Sequence, residues 1–430
     1  KRDRNSTKRL SMYRKTVLEN GLTVVTESIP YFSTVSLGIW WKTGGRFEDE
    51  TNNGISHFIE HMLFKGTQKR SAYDIAKEID AVGGAINAFT GKEYTCLYAR
   101  VLKKDTDIAL DILSDMYKNP RFLEDDLEKE KYVIAQEIKM VEDSPEEYIY
   151  EMFNASYFKG HSLGLPILGR QENVEKFTRE ELKDHFLKHY SLCNVIITAS
   201  GRIDHDVFVQ KVSKFFNCIQ GPGSLPETLI VPSPCTGLHI YEKDLEHVYL
   251  CVGTDGVSQI DNRRYRLYLL NAIMGGSMSS HLFQEIREKR GLVYNIYSYV
   301  NCYHDAGTFG ISTSTSHESV EEVLTLIKQE ITRIRDAGIT DAELSFSKEH
   351  LKGNLFISLE GSETRMGRLA KNEIYFGNYI PLKDTLREID KITKSEVDKI
   401  GNSIFQSPEN ISLTILGNVN RERIETLWKG

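Results

Sequence analysis

The chain has 430 residues, 40% of them apolar and 27% charged, and its 54 Lys and Arg against 61 Asp and Glu give a net charge of −7. This is an ordinary globular composition that excludes collagen, a coiled coil and wholesale disorder. The mild acidity argues against nucleic-acid binding, which needs clustered cations, and the length predicts two or three domains.

No stretch of the sequence predicts a membrane span. The longest uncharged stretch, residues 267–284, contains Asn271, two glycines and several serines, whereas a span needs about 20 mostly apolar residues. The basic residues 1–15 lack the apolar core of a secretory signal, and are either a solvated tail or the remnant of a transit peptide. The six cysteines have no C-x-x-C spacing and are expected to be free thiols. We therefore expect a reducing compartment, which is the cytoplasm or, alternatively, the mitochondrial matrix.

The first half of the chain mixes strand and helix patterns. Alternating or β-branched runs predict strands, and apolar residues at helical spacing predict helices. In chain order we expect a strand from Gly21, a strand at 35–41, helices at 55–64 and 72–82, a strand pair at 85–101, and helices at 107–117 and 124–142.

The chain repeats itself at an offset of 216 residues. The β-branched run that begins at Gly21 returns at Gly237, and the buried-strand pattern of residues 194–201 returns at 410–417. Similar helix starts, at Thr178 and Thr393, precede the second pair of strands. We predict an α+β fold of two tandem homologous domains, each a largely antiparallel sheet flanked by helices.

A segment rich in proline and glycine separates the two repeats. Residues 220–234 contain four of the ten prolines, and such segments break both helix and strand. The expected division is a first domain at 1–222, a linker at 223–235 and a second domain at 236–430.

The sequence His57-Phe-Ile-Glu60-His61 lies inside the helix expected at 55–64. Residues i and i+4 share a helix face, so both imidazoles can bind one ion, and neutral imidazole is a good zinc ligand. Glu60 lies near the same face without having to bind the ion. It is the candidate general base for a zinc-activated water.

A catalytic zinc usually has three protein ligands, so a third ligand is needed. The helix expected at 124–142 offers Glu130 and Glu137 along its apolar stripe, where carboxylates are costly unless a cation meets them. Glu137 is the candidate third ligand and Glu130 the candidate neighbour behind the ligands. The alternative for each is a glutamate at the edge of the stripe, paired with Lys or Arg.

Together these residues resemble the pitrilysin, or inverzincin, metallopeptidases. The His57-x-x-Glu60-His61 motif is followed after 75 residues by Glu137, with Glu130 one heptad earlier. The string HFIEHMLFKGT and the segment 84–90, GAINAFT, add to the likeness. The closer resemblance is to mitochondrial processing peptidase β subunits and their bacterial homologues, and it covers nearly the whole chain.

The resemblance implies roles for the motif residues. One zinc ion per chain would be bound by His57, His61 and Glu137. Glu60 would activate the water, and Glu130 would orient a ligand through a hydrogen bond.

The resemblance also implies a substrate-binding strand. Asn87, Ala88 and Phe89 would lie on an exposed strand edge that pairs with the backbone of a peptide substrate. The alternative for Asn87 is a polar residue beside a turn.

In the second domain, the segment 285–294 looks like the Arg/Tyr motif of the family. Arg290 and Tyr294 would contact the substrate and the developing oxyanion, which is negatively charged. The alternative is a surface arginine at a helix end, with Tyr294 in the core. The resemblance further implies that two chains form an enclosed chamber, as a homodimer or with a homologous subunit.

The function that follows is a zinc-dependent endopeptidase of the processing-peptidase type, acting on extended or unfolded peptides. Two other functions stay open. One is a structural homologue, such as a core subunit of respiratory complex III, although an intact zinc set argues against it. The other is a zinc-dependent peptide-binding module that seldom turns over.

A second histidine pair, His185 and His189, also has i, i+4 spacing but lacks the internal glutamate. We expect it on a half-exposed helix face rather than at a metal.

Overall fold

The computed structural model describes residues 12–216 and 229–429. Most of the basic N-terminal segment, the domain boundary predicted at 222/223 and the first half of the predicted linker therefore lie outside the described residues. None of the helices in the described ranges combines the length and the apolarity needed to cross a bilayer.

The first sheet has six strands in the order β1-β2-β6-β3-β5-β4. β2 and β6 are parallel, and all other neighbours are antiparallel. The central strands β3 and β6 are almost entirely buried. The strands are β1 (Tyr13–Val17), β2 (Thr23–Ser28), β3 (Thr34–Trp41), β4 (Ala85–Thr90), β5 (Thr95–Leu102) and β6 (Val195–Gly201).

The second sheet repeats the order of the first without β1. Its order is β7-β11-β8-β10-β9, and again one pair, β7 with β11, is parallel. Gly201 and Gly417, which follow the same pattern in the sequence, both have positive φ, at 130° and 133°. The predicted duplication and the α+β fold are therefore confirmed. The strands are β7 (Leu238–Tyr241), β8 (Val248–Asp255), β9 (Val293–Cys302), β10 (Gly307–Thr315) and β11 (Ser412–Leu416).

Helices flank both sheets. Those after Thr178 and Thr393 begin with reciprocal capping boxes, as the helix-start signals indicated. The helices of the first half are α1 (Ile55–Leu63), α2 (Ala72–Asp80), α3 (Thr106–Lys118), α4 (Glu124–Glu142), α5 (Pro145–Tyr157), α6 (Gln171–Lys176), α7 (Arg179–His189) and α8 (His205–Phe216). Those of the second half are α9 (Arg264–Met274), α10 (Val320–Ala337), α11 (Asp341–Ser358), α12 (Ser362–Phe376), α13 (Leu382–Lys391), α14 (Lys394–Ile404) and α15 (Arg421–Lys429).

One helix of each half packs against the sheet of the other half. Phe153 and Tyr157 of α5 belong to a buried cluster with Cys251 and Leu416 of the second sheet. In the reciprocal cluster, Met366, Leu369 and Ala370 of α12 pack with Val25, Trp40, Cys96 and Ile196 of the first sheet. Each half therefore covers apolar surface of the other.

A buried polar network also joins the two halves. Arg46, 4% exposed, donates to Glu93 at 2.6 Å and to both carboxylate oxygens of Asp305 at 2.6 and 2.7 Å. Glu93 also accepts hydrogen bonds from the backbone of His304 and from the Tyr375 hydroxyl. The buried charges are thus paired and hydrogen-bonded, as burial requires.

Candidate metal centre

Helix α1 carries the histidine motif, and a buried carboxylate fixes its beginning. Glu48 accepts hydrogen bonds from the backbone N–H groups of Gly54 and Ser56 at 2.8 and 2.9 Å. Burial raises the pKa of Glu48, and these hydrogen bonds oppose the shift. Gly54 has φ 96°, and a Cβ there would lie 2.6 Å from the Gly169 Cα. The start of α1 therefore requires glycine for its backbone angle and for its close contact.

His57, His61 and Glu137 bring their donor atoms together. All three donor atoms lie within 4.8 Å of one another. Glu137 Oε2 is 3.7 Å from His57 Nε2 and 3.4 Å from His61 Nε2. Donors about 2.0–2.1 Å from a tetrahedral zinc ion lie about 3.3 Å apart, so this set fits such an ion. Within residues 12–216 and 229–429 it is the only group of three or more His, Cys, Asp or Glu close enough to hold a metal.

The two imidazoles differ in their surroundings. Burial, with a smaller effect of His61, lowers the pKa of His57 to about 3, so the ring is neutral near pH 7, as a metal ligand must be. Burial opposes protonation of His61, but the hydrogen bond to Glu130 and the nearby carboxylates outweigh it and raise the pKa of this imidazole. A bound cation would favour its neutral form instead.

Glu130 lies behind His61 rather than among the donors. Its Oε2 is 2.9 Å from His61 Nδ1, and its Oε1 is 2.5 Å from the Lys65 ammonium. Burial opposes ionisation of Glu130, but the hydrogen bonds from His61 and Lys65 lower its pKa. A carboxylate in this position orients the ring and turns His61 Nε2 towards Glu137. Glu130 therefore contacts His61 and also has the lysine partner that the alternative interpretation expected.

Glu60 is held by the strand next to α1. Thr90, the last residue of β4, donates its hydroxyl to Glu60 Oε2 at 2.5 Å. Burial raises the pKa of Glu60, Thr90 and His61 oppose the shift, and Glu137 adds to it. The carboxylate is thus oriented beside the donor group by a residue outside its own helix.

β4 is the last strand of its sheet and pairs with β5 along one side. Ala88 is buried, whereas Asn87 and Phe89 are exposed, so the segment lies at a sheet edge. Asn87 Oδ1 accepts a hydrogen bond from the backbone N–H of Ala88 at 2.8 Å. Binding of a substrate backbone to this edge stays a prediction.

Arg290 and Tyr294 lie in the second half. Tyr294 is part of the edge strand β9, and Arg290 lies just before that strand. Tyr294 is 87% exposed, so the alternative that placed it in the core is wrong. Arg290 follows a short π-helix, Phe283–Glu288, and donates to the carbonyl and the carboxylate of Glu285 in it at 2.7 and 3.0 Å. This is the helix-end contact of the alternative. Arg287 donates to the Tyr294 carbonyl at 2.8 Å. Substrate contact by the pair stays a prediction.

Comparison with known proteins shows the family of the chain. The family profile described as insulinase (peptidase family M16) matches residues 23–171, and that of the peptidase M16 inactive domain matches 176–351. A Bacillus subtilis (strain 168) protein named uncharacterized zinc protease YmxG is 37% identical over 402 residues, covering 94% of this chain and 98% of that protein. The chain belongs to peptidase family M16.

Other M16 proteins are similar over nearly the full length. An uncharacterized zinc protease of Rickettsia felis is 40% identical over 394 residues, covering 91% of this chain and 94% of that protein. The crystal structure of a protease from Helicobacter pylori has a TM-score of 0.88 at 20% identity and covers 95% of this chain and 100% of its own. At that identity the likeness shows the shared fold.

Three residues that position the metal-donor residues or Glu60 had no role in the sequence prediction. They are Glu48 at the start of α1, Lys65 beside Glu130, and Thr90 on Glu60. Lys65 lies four residues after His61, a spacing that places it near the same helix side. Glu48 and Thr90 act across loops, and no local pattern pointed to either contact.

His185 of α7 corrects one prediction. It is buried at 7% exposure, not on a half-exposed face, and its ring stacks on His189 at 4.3 Å. Its Nε2 atom is buried without a hydrogen-bond partner. In the described part of the chain it belongs to no group of three candidate metal donors. The periodicity of a short polar helix did not predict which side packs on the core.

Burial of His185 predicts acid sensitivity. Burial, followed by the nearby His189 and Lys188, lowers the pKa of His185 to about 3. The unfolded chain takes up a proton near pH 6.5 and the folded chain does not, so stability is lost as pH falls between these values. The loss is about 1.4 kcal/mol per pH unit, or about 2 kcal/mol by pH 5. In urea unfolding of metal-free protein at pH 7.5 and 5.0, His185→Phe should lose about 2 kcal/mol less than the wild type. An equal loss in both proteins would contradict the assignment.

Proposed function

We propose that this M16 protein is a zinc-dependent endopeptidase that hydrolyses peptide bonds in extended or unfolded peptides. The observation that carries the proposal is the convergence of His57, His61 and Glu137, with Glu60 oriented beside them by Thr90. A peptide-binding scaffold would need neither three donors within 4.8 Å nor a carboxylate beside them.

Each residue of the site has its own role in the proposed reaction. A zinc ion held by the three donors would polarise the scissile carbonyl and lower the pKa of an attacking water. Glu60 accepts the proton of that water and passes it to the leaving amine. Thr90 donates a hydrogen bond to one carboxylate oxygen of Glu60. The other oxygen is therefore the one that accepts and donates the proton. Glu130 keeps His61 in the orientation and tautomer that present Nε2 to the ion.

The edge of β4 presents the substrate to this group. A peptide that pairs with Asn87–Phe89 extends the sheet by one strand, and main-chain hydrogen bonds then bind extended peptides of varied sequence. Because Thr90 ends the same strand, the paired peptide passes Glu60. Folded proteins cannot pair in this way, so unfolded segments are the substrates.

The rival functions differ in metal content and turnover. A structural homologue would bind no zinc at the donor group, and a binding module would bind zinc and peptide without cleavage. We expect about one zinc per purified chain, and cleavage of an internally quenched peptide that stops on chelation and returns with zinc. Zinc-loaded protein that leaves unfolded peptides intact would contradict the proposal.

We further propose that two chains form an enclosed chamber of the processing-peptidase type, as a homodimer or with a homologous subunit. Tyr294 is exposed and takes no part in the core of its own chain. This exposure supports a role in which Tyr294 contacts another molecule. In such a dimer, Arg290 and Tyr294 of one chain contact the substrate and stabilise the oxyanion beside Glu60 of the other.

Subunit mixing tests this shared site. Glu60→Gln and Arg290→Ala/Tyr294→Phe proteins should each be almost inactive. When they exchange subunits freely, half the dimers are heterodimers, each with one intact site and one doubly altered site. Equal mixing should therefore restore about a quarter of the wild-type activity per chain.

The control is a tagged pull-down that confirms subunit exchange. If exchange occurs and activity stays flat, the Arg290/Tyr294 pair does not act across subunits. That result would leave the zinc chemistry of the first half unaffected.

A further inference from the structure

A cavity of about 470 Å³ lies between the two halves of the chain. Residues of α9 and α12 form its wall on the side of the second half. Two further lining residues, Ser358 and Thr364, are exposed, so a ligand can reach the cavity near the junction of α11 and α12. The first sheet contributes the rings of Trp40, Phe89, Tyr94 and Tyr98. This volume and this lining are typical of a site for a small molecule.

The cavity and the metal donor group belong to opposite faces of the first sheet. Trp41 belongs to the same buried cluster as Phe58 of α1, the helix that carries His57 and His61. Trp40, the preceding residue, belongs instead to the cluster under α12, as expected because successive side chains of a strand point to opposite faces. A ligand of this cavity is therefore separate from the proposed zinc site.

Arg264 of α9 is a buried cation in the cavity wall. It is 5% exposed and donates to the Asp261 carbonyl at 3.0 Å and to the Tyr265 hydroxyl at 3.1 Å. No Asp or Glu in the described part of the chain forms an ion pair with it, since the Asp261 carboxylate pairs with Arg263 at 2.7 Å. A guanidinium cannot lose its proton in a protein, and a buried charge without a counter-charge is costly.

The wall formed by α12 has further donors. Arg368 and Asn372 are four residues apart and therefore share a helix face. Arg368 donates to the Ile380 carbonyl at 2.9 Å and to the Thr385 hydroxyl at 3.3 Å. Asn372 is 8% exposed, and its Nδ2 is buried without a hydrogen-bond partner. Because buried polar groups are normally hydrogen-bonded, this amide indicates an acceptor that the chain itself does not supply.

We infer that this cavity binds a small aromatic carboxylate. Three cations, Arg264, Arg368 and Lys371, line it with one acidic residue, Glu363, although the whole chain has a net charge of −7. A carboxylate supplies the counter-charge that Arg264 lacks and the acceptor oxygen that Asn372 lacks. A planar apolar body matches the aromatic rings of the opposite wall. The occupied site would join the two halves, since each half contributes one wall.

Isothermal titration calorimetry with naphthoate tests the site, and naphthamide serves as a neutral probe of nearly the same shape. About one naphthoate should bind per chain, at least about tenfold more tightly than naphthamide, because hydrogen bonds to a charged group are stronger than neutral ones. Removal of bound metal with a chelator should leave both affinities unchanged. That control excludes a carboxylate bound to zinc at the metal donor group.

Arg264→Gln tests the counter-charge. It should weaken naphthoate binding by at least about tenfold and change naphthamide binding by no more than about twofold. The matched control is Arg263→Gln at the neighbouring position, where the side chain is 59% exposed. It removes the same charge and should alter neither affinity.

Gly367→Leu tests the cavity without removing a charge. Gly367 lines the cavity, and a Cβ there would lie 3.7 Å from Trp40 Cη2, in ordinary contact, so the larger side chain fills the space. Binding of both probes should be lost. The control is Gly353→Leu in α11, where a Cβ meets nothing within 4 Å, and both probes should bind as they do to the wild type.

The outcomes that overturn the inference are distinct from those that bear on the peptidase, because no measurement here depends on peptide cleavage. Equal affinity for naphthoate and naphthamide, or no binding of either probe, would overturn it. Naphthoate binding that persists in Gly367→Leu would place the ligand elsewhere, and binding that disappears on chelation would place it on the metal. Either result would also overturn the inference.

Discussion

Glu60→Gln should lower kcat by about 10²–10⁴-fold, the usual contribution of a general base, while about one zinc per chain is retained. The amide keeps the shape of the side chain and can still meet Thr90, but it cannot take a proton from water. Zinc content measured by mass spectrometry on the protein used for kinetics separates loss of chemistry from loss of metal.

Glu137→Gln is the companion of that variant. Removal of a ligand charge should lower both the zinc content and the activity, because two imidazoles alone make an incomplete site. Glu128→Gln, on the same helix with a side chain 61% exposed, changes the same charge and should alter neither. Cleavage by Glu60→Gln at near wild-type rate would refute the base. Full zinc occupancy and activity in Glu137→Gln would refute the third ligand.

Arg46→Met should destabilise the protein by about 3–5 kcal/mol, the usual cost of removing one partner from a buried charge pair. The substitution keeps the apolar stem but leaves Glu93 and Asp305 facing each other without a cation. The loss should appear as a shift of the urea midpoint monitored by circular dichroism, with activity at low denaturant reduced less than stability.

Arg263→Met is the control for that experiment. Arg263 pairs with Asp261 at 2.7 Å, but its side chain is 59% exposed, so the expected loss is at most about 1 kcal/mol. If Arg46→Met behaves like Arg263→Met, the network does not hold the two halves together. A double variant, Arg46→Met/Glu93→Gln, should recover part of the loss because it removes one uncompensated charge.

The helices of the site and the faces they bury could be predicted because the spacing of residues within each helix determines which side chains share a face. The i, i+4 spacing places His57 and His61 on one face before any tertiary contact exists. The apolar stripe of α4 likewise placed Glu130 and Glu137 on the buried side of their helix. What the stripe could not decide is which glutamate meets the donors, because that depends on where α4 crosses α1.

The contacts between the two halves could not be predicted from local patterns. Phe153 and Met366 belong to amphipathic helices, and amphipathicity indicates burial without saying against which sheet. The Arg46–Asp305 pair joins residues 259 positions apart, and the cavity beside Phe89 exists only because α12 packs across the chain. The half-exposed position expected for His185 in α7 is wrong for the same reason, since tertiary packing buries this residue.

Crystals of Glu60→Gln protein with a bound peptide, measured on both sides of the zinc absorption edge, test the central claim most directly. The account predicts one zinc peak per chain, about 2.0–2.1 Å from the donor atoms of His57, His61 and Glu137, and the peptide as an added strand along β4. A zinc peak at other residues, no peak in protein with one zinc per chain in solution, or a peptide away from the β4 edge would contradict it.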